Sequence, residues 1–125
     1  MPNRVLIARE LADLFKLLAH PDRIRLIEEL GAGEKAVNEL GDSTGLPSAR
    51  VSQHLALLRA HRVVDERRDG RHRYYHLVQP GFAAWIVDGL DFVAGREQVV
   101  DAAKIRAVRR QWPATPVAGS GRGRG

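Results

Sequence analysis

The stretch from Ala36 to His61, AVNELGDSTGLPSARVSQHLALLRAH, decides the fold. Ala36 to Thr44 predicts a short helix with Val37 and Leu40 turned inward, and Gly45 is its left-handed terminator. Leu46 leads into a second helix that takes Ser48 as its N-cap. Val51, Leu55 and Leu58 share one face of that helix as it runs to about His61. Its other side carries Arg50 and Gln53, with Ser52 at the edge.

Downstream, Val63 and Val64 on one side and Tyr74, Tyr75 and Leu77 on the other flank the polar run DERRDGRHR. The Asp69-Gly70 pair predicts a tight turn, and so a two-stranded, arginine-rich hairpin. Two short helices joined at a glycine turn and followed at once by a basic hairpin describe a winged helix-turn-helix. The expected fold is therefore mainly α with a small β-hairpin.

Upstream, Ile7, Leu11, Leu14, Phe15 and Leu18 recur at three- and four-residue steps, predicting a helix over 5–18 with that face buried. His20 precedes Pro21, the first position of a further helix whose Ile24, Ile27 and Leu30 fall on one side before Gly31 and Gly33 end it. Beyond Pro80, the columns Ile86, Val93, Val100 and Trp85, Phe92, Val99 repeat every seven residues. They predict one long helix to about Arg110 whose stripe needs another helix to cover it. The domain expected is 1–112. The segment 113–125, PATPVAGSGRGRG, has the composition of a disordered basic tail.

Composition narrows the function. The 125 residues suffice for one core. The absence of cysteine excludes disulfides, thiolate metal sites and a thiol nucleophile. Twenty Lys and Arg against fifteen Asp and Glu give +5, and only Lys16, Lys35 and Lys104 are lysines. Arginine's planar fork suits phosphate and guanine, although a GC-rich genome enriches the same residue. The N-terminal residues have neither a signal-peptide core nor a membrane span, so a soluble, cytoplasmic protein is expected.

A helix of this kind fits the DNA major groove, and its N-terminal side chains reach base edges where they are small or polar. Ser48, Ala49, Ser52 and Gln53 meet that requirement. Gln53 can pair with adenine, Ser52 with a base or phosphate, Ala49 with a thymine methyl and Arg50 with phosphate or guanine. His54 joins the candidate set, with local packing as its alternative role. Arg67, Arg68, Arg71 and Arg73 of the hairpin are candidates for the adjoining backbone or minor groove. Strand alternation forbids all four from facing DNA together, which favours Arg68 and Arg71 near the tip.

The pieces LAHPDRIRLIEEL, NELGDSTGLPSARVSQHLALLRAHRVV and RRDGRHRYYHL, between Leu11 and Leu77, resemble the ArsR-type winged-helix repressors. The resemblance implies a homodimer joined through its first and last helices, bound to an imperfect palindrome in double-stranded DNA and released by an effector. Metal-sensing members carry Cys-Val-Cys in the third helix, where this chain has Ala36, Val37 and Asn38. The last-helix register gives Asp88, Leu90, Asp101 and Lys104, so neither metal set is expected and no cofactor is implied.

Other chemistry is weak. His72 and His76 lie roughly 13 Å apart on a strand, too far to share an ion. Ser52 and His54 point in different directions and lack an orienting acid, so no enzyme is expected. Asp88 and Asp91 read as a solvated edge more readily than as a cation site across a dimer. The reading is a homodimeric, sequence-specific DNA-binding regulator, a repressor or, with the same contacts, an activator. The alternative is a winged-helix interaction module that turns its basic hairpin on an acidic partner.

Overall fold

The computed structural model describes residues 2–93 and 102–111. The elements in order are α1 (Pro2–Leu18), α2 (Pro21–Gly31), β1 (Lys35–Ala36), α3 (Val37–Thr44), α4 (Ser48–Ala60), β2 (Val64–Asp69), β3 (His72–Leu77), α5 (Phe82–Asp88), α6 (Leu90–Val93) and α7 (Ala102–Gln111). The winged helix-turn-helix is present. Leu26, Ile27, Leu40, Val51, Leu55 and Leu58 have no exposed surface, so α2, α3 and α4 meet in one core that Val64, Tyr75 and Leu77 of the sheet close.

Local chemistry sets the helix ends. The α2 start is fixed by Pro21 and by His20, whose Nδ1 accepts from the Asp22 N–H at 3.2 Å. At the α3–α4 turn, Gly45 has φ +76°, a conformation that disfavours any Cβ, and its N–H reaches the Gly41 carbonyl at 2.8 Å. Arg25 Nη1 donates to the Thr44 carbonyl at 2.9 Å, tying α2 to the same turn.

Five expectations are corrected. Ser48 is the first helical residue of α4, and the preceding Pro47 occupies the cap. The hairpin loop is Gly70-Arg71, because Asp69 pairs with His72 and the positive φ of +64° falls on Gly70 as first loop residue. The sheet has three strands in the order β1-β3-β2, since Lys35 and Ala36 add antiparallel to Tyr75 and Tyr74.

The α1 stripe divides. Leu14 and Leu18 pack on the core, while Ile7, Leu11 and Phe15 are exposed at 59%, 45% and 53%, because nothing within the described residues covers them. The long terminal helix is interrupted at Gly89, and α7 packs back on the earlier part. Arg109 Nη1 lies 3.3 Å from Asp88 Oδ1, a pair that one unbroken helix would hold about 30 Å apart. Asp88 and Asp91 thus grip the Arg109 guanidinium. Val99, Val100 and the 113–125 tail lie outside the described residues.

Candidate nucleic-acid interface

The buried stripe of α4 leaves its opposite side to solvent, and Ser48, Ala49, Arg50, Ser52 and Gln53 are all exposed. The first turn carries no acid and no side-chain cap. The Arg50 and Val51 N–H groups already reach the Pro47 carbonyl at 2.9 and 3.0 Å, which leaves the Ser48 and Ala49 N–H groups at the positive end of the helix, an arrangement that favours phosphate.

His54 is different. Its side chain is 12% exposed, its ring meets His20 edge-on with centroids 4.6 Å apart, and Nε2 lies 3.8 Å from Asp22 Oδ2. Burial, then the neighbouring His20, holds its imidazole below the ordinary range. The packing role, rather than the outer face, is where the side chain sits.

The wing register sorts the arginines. Val64, Glu66 and Arg68 on β2 share a face with Leu77, Tyr75 and Arg73 on β3, and that face is the one that buries Val64, Tyr75 and Leu77. Beyond the core it borders an open groove of about 570 Å³ against α4, between Ser52, Ala56 and Arg59 on one side and Glu66 and Arg73 on the other. Arg68 lies directly opposite Arg73, a repulsive pairing relieved by Glu66. The Glu66 carboxylate accepts from Arg59 Nη1 at 2.9 Å and Arg68 Nε at 3.4 Å, with Arg73 Nη1 at 3.8 Å. Arg59 Nε also lies 3.3 Å from Asp65 Oδ1, so two carboxylates meet three guanidinium groups and the groove stays positive.

Arg67 occupies the other face. It clasps Glu34 through Nε and Nη2 at 2.8–3.1 Å, with its guanidinium 4.7 Å above the Tyr74 ring. That clasp pins the wing to the residue before β1. Arg71 sits exposed in the loop and pairs with no carboxylate among the described residues. The four candidate arginines are thus split: Arg68 and Arg73 beside α4, Arg71 at the tip and Arg67 engaged elsewhere. The sequence signal for this split was Glu34, whose nearness depends on the unforeseen β1.

The clasp has a pH signature. The Arg67 hydrogen bonds hold the Glu34 carboxyl below its ordinary 4.5, outweighing burial. A depressed carboxyl contributes stability above the unfolded value and loses it as pH falls through the folded one. Glu34→Gln should therefore cost at most about 1 kcal/mol at pH 7, as for other solvent-facing pairs. Thermal unfolding should show the wild-type advantage vanish as pH drops below about 4.5. An advantage that persists at pH 2 would contradict the assignment.

Comparison with known proteins agrees with this geometry. The profile described as "Bacterial regulatory protein, arsR family" matches residues 20–66. The chain is 37% identical over 78 residues to the HTH-type transcriptional regulator KmtR of Mycobacterium tuberculosis, covering 62% of this chain and 60% of that one. It thus spans about three fifths of that relative's length. It is 37% identical over 83 residues to the biofilm growth-associated repressor of Xylella fastidiosa, covering 66% of this chain and 72% of the repressor. Among solved structures, the homodimeric winged helix-turn-helix DNA-binding domain of a possible ArsR-family regulator from Mycobacterium bovis superposes with TM-score 0.63. That match has 25% identity, over 79% of this chain and 90% of that one.

Proposed function

Because the chain belongs to the bacterial ArsR family, we propose that it is a homodimeric transcriptional repressor that binds a palindromic operator in double-stranded DNA. The observation that carries this reading is the outward side of α4: small or polar, free of acid in its first turn, and flanked by the positive groove of the wing. Ser48, Ala49, Arg50, Ser52 and Gln53 enter the major groove, and Gln53 pairs with a base edge. Arg68 and Arg73 grip the flanking backbone, and Arg71 extends the reach of the tip. Arg67 and His54 act indirectly, the first by fixing the wing and the second by seating α4.

Two copies meet through the exposed apolar face. Ile7, Leu11 and Phe15 of α1 continue into Trp85, which stacks on Phe15 at 6.3 Å and on Phe82 at 5.5 Å between centroids. Phe15, Trp85 and Phe92, the last 87% exposed, border a groove of about 400 Å³. A lone soluble domain rarely leaves so much contiguous apolar surface wet. A second copy fits it because the relative from Mycobacterium bovis is homodimeric. A repressor of bacterial genes works in the cytoplasm, where the DNA is; no helix of the described residues is long and apolar enough to cross a membrane.

Selection of bound duplexes from a random pool tests the whole reading, since it returns the half-site and its spacing together. Gln53→Ala should then cost about 1–3 kcal/mol on the selected duplex and relax preference at one base pair in each half-site. Arg68→Ala should weaken all sequences alike and lower the salt slope by about 1 per half-site. Equal losses on specific and random duplex for Gln53→Ala would reject its role. Retention of an acidic protein with no duplex retarded at low salt would favour the interaction-module alternative.

A further inference from the structure

The outer face of α4 leaves its inner flank unexplained. There, His54 Nε2 is buried without a hydrogen-bond partner, an unsatisfied ring nitrogen that a folded protein rarely tolerates. It points at the start of α2, where His20 and Asp22 stand, and one ligand atom from each of the three residues lies within 4.8 Å of the others.

The geometry points to a binding site for a divalent first-row transition-metal ion, Zn²⁺ or a close analogue, formed by His20, Asp22 and His54 between α2 and α4. Two imidazoles and one carboxylate are the borderline donor set such ions take. Calcium and magnesium want more oxygens, and copper(I) wants sulfur. A tetrahedral ion about 2.0–2.1 Å from each donor needs donors about 3.4 Å apart. His54 Nε2 and Asp22 Oδ2, at 3.8 Å, are already near that separation. Three protein ligands leave the fourth position to water.

The surroundings set the strength. Arg23 and Arg50 oppose a cation, but Arg23 is drawn aside, its Nε donating to the Leu17 carbonyl at 2.6 Å. The ion must also displace a bond, since the His20 Nδ1 lone pair already accepts from the Asp22 N–H. These oppositions predict micromolar rather than tighter binding. Coordination would clamp α4 to the start of α2 from behind the face proposed to read DNA, whether or not that face does so.

The test uses the full chain, stripped with EDTA and dialysed, without DNA. Co²⁺ is titrated while its visible d–d absorption is recorded, and Zn²⁺ is then added to displace it. One ion per chain is expected, with Asp22→Asn and His54→Gln each weakening binding at least about tenfold, the loss of one charged or neutral ligand from three, and His72→Gln leaving it unchanged. Imidazole ¹⁵N resonances of His20 and His54 should shift on Zn²⁺ addition, and those of His61, His72 and His76 should not. Absence of Co²⁺ absorption up to millimolar metal, or binding that survives both ligand substitutions, overturns the site. A chain that fails to bind any duplex yet takes up Co²⁺ as described would refute the DNA reading and leave the metal site standing.

Discussion

Phe15→Asp is expected to give a folded monomer whose affinity for the palindromic operator falls by at least about a hundredfold. Phe15 is 53% exposed in the single chain and touches its own fold chiefly through Trp85 at 6.3 Å, so its removal costs the monomer little. At a two-fold interface each substitution counts twice. Burying two phenyl rings is worth about 3–6 kcal/mol in all, and each tenfold in affinity is about 1.4 kcal/mol. Two carboxylates placed in the same apolar seam add a desolvation cost of several kcal/mol each. A monomer then addresses one half-site where the dimer addressed two. Light scattering should report a single-chain mass, and circular dichroism an unchanged helix content. A dimer that persists at micromolar concentration would show that the apolar face of α1 is not the seam.

Why the outward side of α4 was legible while the cover of α1 was not follows from what periodicity encodes. With 3.6 residues per turn, Val51, Leu55 and Leu58 cluster within about 60° of arc, Gln53 falls nearly opposite, and His54 lies on the flank of the stripe. Exposure of Ala49, Arg50, Ser52 and Gln53 and partial burial of His54 are thus written into α4 itself. The α1 stripe is equally periodic, but periodicity states that a face is apolar and is silent on which chain covers it. Leu14 and Leu18 found cover at home, and Ile7, Leu11 and Phe15 did not.

Long-range partners were the other blind spot. The seven-residue columns through Trp85 and Phe92 run past Gly89, whose weak breaking tendency periodicity overrides, and α7 returns to place Val108 on the core and Arg109 beside Asp88 and Asp91. Two residues, Lys35 and Ala36, are too short a run to announce a strand, yet their pairing with Tyr75 and Tyr74 brings Glu34 beside Arg67. Arg62 closes α4 with φ +61°, where glycine would have been the readable signal. The His20–Asp22–His54 cluster joins residues 32 positions apart in sequence, and no local pattern foretells that meeting.

Leu55→Ala should destabilise the fold by about 2–5 kcal/mol, a large part of the 5–15 kcal/mol typical of small domains. Leu55 has no exposed surface and lies midway along the three-residue buried stripe that seats α4. The cavity cannot close easily, since it is walled by side chains from α2 and α3 that are themselves fully buried. The same loss should reach the proposed DNA interface, because base contacts need the helix held within a fraction of an ångström. Urea unfolding should show a lower midpoint with an unchanged slope, and operator binding should weaken at temperatures where the variant is still folded. Leu55→Met, which conserves volume, should cost less than about 1.5 kcal/mol and restore binding. If Leu55→Ala lost stability as stated but bound the selected duplex as tightly as wild type at low temperature, the seating of α4 would not be what positions Gln53. The groove contacts of the wing would then have to hold the helix in register by themselves.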